Sequence, residues 1–134
     1  MTIEELKQYR GLCADIDAIR AELNAAYEPI RSPTGNTNEG HGTTPGNPTE
    51  KAVFKAMDIQ ERLFDQLKEQ ERIRLEIESW LMTIKDPEIT AIIRWKYIIG
   101  LSWKQTSLKV YGIGDYYRAR NKLHVFFRKK SKED

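Results

Sequence analysis

A chain of 134 residues has room for one modest core, which excludes a pair of large catalytic domains. Apolar residues at 40% and charged residues at 31% describe a charge-rich globular protein built of exposed amphipathic helices, and exclude a wholly disordered chain. The net charge is only +2, yet it is unevenly spread: residues 1–50 hold four basic side chains against eight acidic ones, whereas residues 101–132 hold nine against the single acid Asp115. Such asymmetry predicts that the C-terminal segment meets a polyanion and that the acidic N-terminal part faces something else.

No apolar run is long enough for a membrane span and the N-terminus lacks the pattern of a secretory signal, so a cytoplasmic protein without a membrane partner is expected. One cysteine, Cys13, and two distant histidines, His41 and His124, give neither a disulfide nor metal-ligand spacing. No metal and no cofactor are expected. No nucleophile stands with a base, so no enzyme is expected either.

In chain order, Leu6, Tyr9, Leu12, Ile16, Ile19, Leu23 and Tyr27 recur at helical spacing, which predicts one amphipathic helix over residues 3–28, ended by Pro29. Residues 29–49 are rich in Pro, Gly, Thr and Asn and read as a flexible connection without a core. His41 between Gly40 and Gly42 lacks a second ligand and reads as solvated. Thr49 is the expected N-cap of a longer helix reaching about residue 84, with Phe54, Ile59, Leu63, Leu67, Ile73, Ile77, Trp80, Leu81 and Ile84 on its apolar stripe. The two stripes have two readings: an antiparallel hairpin closing one core, or the seam of a dimerising coiled coil. Cys13, beside the first stripe, reads as a small buried hydrophobe. Asp58, Glu61 and Asp65 share a helix face that reads as solvated.

Asp86-Pro87-Glu88 carries three helix-start signals: an Asp cap, a proline at the first position, and an acid complementing the helix dipole. That helix should stop at Gly100. Ser102 should cap a short helix over residues 103–110, and after a turn at residues 111–114, Gly114 or Asp115 should cap a basic helix from Tyr116 to about Lys129. Two helices around a glycine turn, the second basic, form the local pattern of a helix-turn-helix. Gly112-Ile113-Gly114 is too short for a phosphate loop and reads as that turn. Trp80, Trp95 and Trp103 are expected in the core. On the last helix, Tyr116, Ala119, Leu123 and Phe126 or Phe127 should face inward; Tyr117, Arg118, Asn121, Lys122 and Val125 should face outward. Arginine and asparagine there can bond guanine and adenine bidentately, and lysine can neutralise phosphate.

The stretch DPEITAIIRWKYIIGLSWK at residues 86–104 resembles region 4 of bacterial sigma factors, and more closely the small late-operon regulators of phages of Gram-positive bacteria, the ArpU and RinA type. In those the recognition helix often reads Tyr-Arg followed by basic residues, matched here by Tyr117-Arg118-Ala119-Arg120-Asn121-Lys122. The resemblance covers roughly residues 84–128. It implies Lys104 and Gln105 near the DNA backbone and Tyr117, Arg118, Asn121 and Lys122 in the groove. Arg120 and the basic run Arg128-Lys129-Lys130 complete the expected DNA contacts. Thr106, Ser107 and Tyr111 stand where that family has an aliphatic residue, an alanine and a glycine, so a longer turn is expected. The resulting expectation is an all-α protein: a helical hairpin at 1–84, then a three-helix, sigma-region-4-like helix-turn-helix at 85–134. Its expected function is sequence-specific regulation of transcription from a phage or prophage genome, with double-stranded DNA as partner, a contact to RNA polymerase, and a homodimer through the N-terminal helices. Two rivals are a phage small terminase subunit and a helical adaptor whose basic tail binds an acidic protein.

Overall fold

The computed structural model describes residues 1–31 and 48–133, and these are all-α. The helices are α1 (Ile3–Arg31), α2 (Pro48–Leu81), α3 (Pro87–Ile93) continued by one π-helical turn (Arg94–Ile99), α4 (Trp103–Tyr111) and α5 (Tyr116–Glu133). Most of the connection expected at 29–49, with Gly40, His41 and Gly42, lies outside the described residues. At its edges the helices run further than expected. Helix α1 continues through Pro29 to Arg31, so the proline falls in its last turn and does not end it. Helix α2 starts at Pro48, whose missing N–H belongs to the first turn, so Thr49 lies inside the helix and does not cap it. Its far end comes earlier, at Leu81. There the Thr83 hydroxyl donates to the Trp80 carbonyl at 2.6 Å and a turn replaces the last expected residues.

The backbone gathers into two compact units. In the unit Leu12–Glu69, Cys13, Ile16 and Ile19 of α1 and Ala56 and Ile59 of α2 are buried. Arg62 pairs with Glu22 at 3.3 Å and the Tyr27 hydroxyl donates to Gln60 Oε1 at 3.3 Å, in the order an antiparallel pair requires. The stripe therefore closes a hairpin within the chain. Phe54, expected on it, is instead 62% exposed.

The other unit joins Met1–Gly11 to Gln70–Asp134, a division that differs from the boundary at 84/85 read from the sequence. Leu6 and Tyr9 are buried in it along with Ile77 and Leu81 of α2, Ile89, Ile92 and Ile93 of α3, Tyr97, and Ala119 and Leu123 of α5. Leu6 and Tyr9 of α1 and Ile77 and Leu81 of α2 thus add four side chains to the six that α3, its π-helical turn and α5 bury, each leucine or isoleucine among them worth about 1.5–3 kcal/mol. Trp80, Trp95 and Trp103, expected in the core, are all half-buried. Their rings lie under cations: Lys130 over Trp80, Lys109 over Trp95 and Lys96 over Trp103.

Candidate nucleic-acid interface

The frame of the site begins at Asp86, whose carboxylate accepts the Glu88 N–H at 2.9 Å and starts α3 at Pro87. After Ile93 the helix widens into the π-helical turn and stops at Gly100, with φ of 96° and both Gly100 and Leu101 N–H groups on the Trp95 carbonyl. The widened turn leaves the Tyr97 and Ile98 carbonyls without helical donors. Arg10 Nη1 donates to both, at 3.2 and 3.3 Å. Glycine is needed twice over at position 100, for its positive φ and because a Cβ would stand 2.7 Å from Arg10 Cζ.

Ser102 and Gln105 form a reciprocal capping box: Ser102 Oγ accepts the Gln105 N–H at 3.1 Å, and Gln105 Oε1 accepts the Ser102 N–H at 3.0 Å. Helix α4 then runs to Tyr111, and Gly112 takes φ of 77°. The turn is residues 112–115, four residues, within the ordinary range for two helices meeting at an angle; the longer turn expected from Tyr111 is absent because Tyr111 closes α4. Asp115, of the two capping candidates, accepts the Tyr117 N–H at 2.8 Å. Thr106 and Ser107 are wholly buried, and Ser107 Oγ accepts the Ala119 N–H at 3.1 Å. That hydrogen bond ties α4 to α5, and the small side chains at 107 and 119 allow it.

Ala119 and Leu123 turn α5 inward, and Phe127 stacks on Trp80 with ring centroids 5.9 Å apart. Tyr117, Arg118, Asn121, Val125, Arg128 and Lys129 are exposed. The Arg118 guanidinium lies over the Tyr111 ring at 4.5 Å, which steadies it at the surface. Lys104 is exposed on α4, while Gln105 spends its side-chain oxygen on the cap. Lys130 is half-buried against Trp80.

Two residues depart from their expected places. Tyr116 is 41% exposed rather than inward: it opens α5 beside the core, its ring edge-on to Tyr117 and under the Arg120 guanidinium. Lys122 lies at the edge of the outward face, with its ammonium 2.9 Å from Glu88 and 3.6 Å from Asp86. The hydrogen bond and charge of Glu88 raise its pKa above the ordinary lysine value. Lys122 is thus already paired within the chain, unlike Arg118.

On the opposite edge of α5, Arg120 and His124 line a cleft with Lys7 and Arg10 of α1 and Lys96 of the π-helical turn; its volume is about 380 Å³. Tyr97, Trp103 and Tyr116 complete the walls. Burial, then Arg10, lowers the Lys96 pKa; burial, then Arg120, Lys7 and Arg128, lowers that of His124. Sequence reasoning missed this cluster apart from Arg120. A signal existed: Lys7 and Arg10 flank the Leu6 and Tyr9 stripe at i,i+3, which places two cations on one edge of a buried face.

No protein-family model matches the chain, and comparison with curated proteins and with solved structures finds no match. Among the described residues, no helix is long and apolar enough to cross a membrane.

Proposed function

We propose that this protein is a sequence-specific, double-stranded DNA-binding regulator of transcription, with α5 entering the major groove. The observation that carries the reading is the exposed face of α5, where Tyr117, Arg118 and Asn121 stand together on a helix with no acidic residue from 116 to 132. Arg118 and Asn121 would read base edges, and Tyr117 a phosphate or a thymine methyl. Lys104, Arg128 and Lys129 would hold the strand phosphates and set the register. The resemblance to sigma region 4 and to phage regulators of the ArpU and RinA type adds the setting, a promoter of a phage or prophage with RNA polymerase nearby, where the acidic N-terminal part would meet the polymerase. Selection from a random duplex pool is the test. An enriched motif is the expected result, and retention of random sequence alone would refute it.

We also propose that two copies associate through α2. Val53, Met57 and Phe64 fall within about 40° of one another around the helix, with Phe54 beside them, and are 38%, 57%, 60% and 62% exposed in residue order 53, 57, 64, 54. They offer roughly 400 Å² of apolar surface per chain, so self-pairing would supply the apolar part of an interface of about 1,200 Å², the lower bound for a stable dimer. Ile16 and Ile77 belong to the interior of the chain and not to this seam. The expected mass in solution is that of a dimer, converted to monomer by Met57→Glu with Phe64→Glu. A ring of many copies would instead favour the small terminase reading, in which the same patch serves a DNA-packaging assembly.

A further inference from the structure

The geometry points to a binding site for a phosphate ester in the cleft that gathers Lys7, Arg10, Lys96, Arg120 and His124. Four of these side chains are lysines or arginines, and no carboxylate lines the cleft. Some cations of the same unit have acid partners: Arg94 with Glu78 at 2.8 Å, Arg74 with Glu71 at 2.9 Å, Lys122 with Glu88 at 2.9 Å. Among the described residues none of the five cleft groups has one. Like charges brought together without a counter-charge oppose folding, and that cost is met when an anion completes the site.

The cations are also held in place before any ligand arrives. Arg10 is fixed by its two hydrogen bonds to the Tyr97 and Ile98 carbonyls, and the missing side chain at Gly100 gives it room. Lys96 lies over the Trp103 ring at 5.0 Å and Arg120 over the Tyr116 ring at 5.9 Å. Trp103 in turn meets Tyr97 edge to face at 6.2 Å. Arginine and lysine together recognise a tetrahedral oxyanion, and several cations at once match a ligand with two or more negative charges better than a single carboxylate. Three aromatic walls and about 380 Å³ of space admit one nucleotide unit. That unit has two sources, a free nucleotide or a nucleotide of a DNA strand, and both present the same phosphate ester.

The test uses the full chain with three probes: inorganic pyrophosphate, ATP and a 20-base-pair duplex. The imidazole of His124 is followed by NMR over pH, its signals told from those of His41 with His41→Asn and His124→Asn variants. Pyrophosphate or ATP should move the His124 titration upward by about one unit, since an anion comes within reach of a group whose pKa burial and neighbouring cations lower. Lys7→Gln and Arg120→Gln should each weaken ATP binding about tenfold. Lys7 is exposed, so its variant keeps the test valid if Arg120→Gln loses the fold. An unchanged His124 titration at about 10 mM of either small probe would overturn the site, as would unaltered affinity in the Lys7→Gln protein. The duplex separates the sources. If ATP competes with duplex and Lys7→Gln weakens both, the cleft takes a strand phosphate; if duplex binding ignores ATP and Lys7→Gln, it takes a free nucleotide. Failure of the groove reading would leave the small-probe results standing, because it would show in Arg118 and Asn121 variants instead.

Discussion

Gly100→Ala is the substitution whose cost can be built up from the structure. Alanine at φ of 96° carries left-handed strain of roughly 1–2 kcal/mol. Its Cβ would also stand 2.7 Å from Arg10 Cζ and 2.8 Å from both Arg10 terminal nitrogens. The backbone need not move, because the obstruction is the end of a flexible side chain. Arg10 would swing away and surrender its hydrogen bonds to the Tyr97 and Ile98 carbonyls, at about 1 kcal/mol net or more for this charged, half-buried pair of contacts. The sum is about 2–4 kcal/mol, or a fall in Tm on the order of 10 °C for a domain of this size. Urea denaturation of Gly100→Ala, Arg10→Met and the double variant would separate the parts. In the Arg10→Met background Gly100→Ala should cost only the backbone strain, about 1–2 kcal/mol. Equal costs in both backgrounds would refute the steric argument, and a Gly100→Ala protein as stable as its parent would refute the whole account.

Further outcomes follow from the same geometry. Arg118→Ala should cost about 1–3 kcal/mol on the selected DNA site with much less effect on random duplex; Lys122→Ala, whose ammonium is occupied by Glu88, should leave the salt slope of binding unchanged, and titrations at several salt concentrations would show both. Ser107→Ala should lose about 1–3 kcal/mol in urea denaturation, because it strands the buried Ala119 N–H. Thr106→Val should be neutral or stabilising, since among the described residues Thr106 Oγ1 is buried without a partner. Burial, then the Arg120, Lys7 and Arg128 charges, lowers the His124 pKa in the folded chain, so its contribution to stability should be full above the ordinary histidine value of 6.5 and decline as pH falls from there toward the lowered folded value; His124→Gln should flatten that decline in a pH series of denaturation midpoints.

Local chemistry made much of the fold legible. Asp86, Ser102 with Gln105, and Asp115 are caps whose side chains act within three residues of their own position, so the starts of α3, α4 and α5 could be read one residue at a time. The stripes of Leu6, Tyr9, Ile16 and Ile19 and of Ile59, Ile77 and Leu81 were legible for the same reason, as periodicity is a property of one helix. The π-helical turn was not, and the donor that its freed Tyr97 carbonyl finds is 87 residues away in Arg10. Nor was the state of Lys122, whose ammonium pairs with Glu88 of α3 and with Asp86, the cap of that helix. The cleft cations were hidden most completely: Lys7 and Lys96 are ordinary surface lysines until the first turns of α1 join the C-terminal unit.

The three sides of α5 thus have three electrostatic conditions, set by what surrounds each. At Lys122 the acids of the α3 start supply a counter-charge, and a phosphate would have to displace Glu88 to bind there. At Arg118 and Asn121 there is neither acid nor burial, so both side chains keep their full hydrogen-bonding capacity for a partner that enters from solvent. At Arg120 and His124 partial burial and like charge act together, beside the aromatic rings of Tyr97, Trp103 and Tyr116. A helix that merely carried solvated basic residues would not be expected to sort its cations this way, since exposed lysines and arginines gain little from any particular neighbour. The sorting leaves the centre of α5 exposed and one edge paired with acids of the α3 start, with unpaired cations on the other edge; the Arg118, Lys122 and Lys7 variants measure the proposed role of each separately.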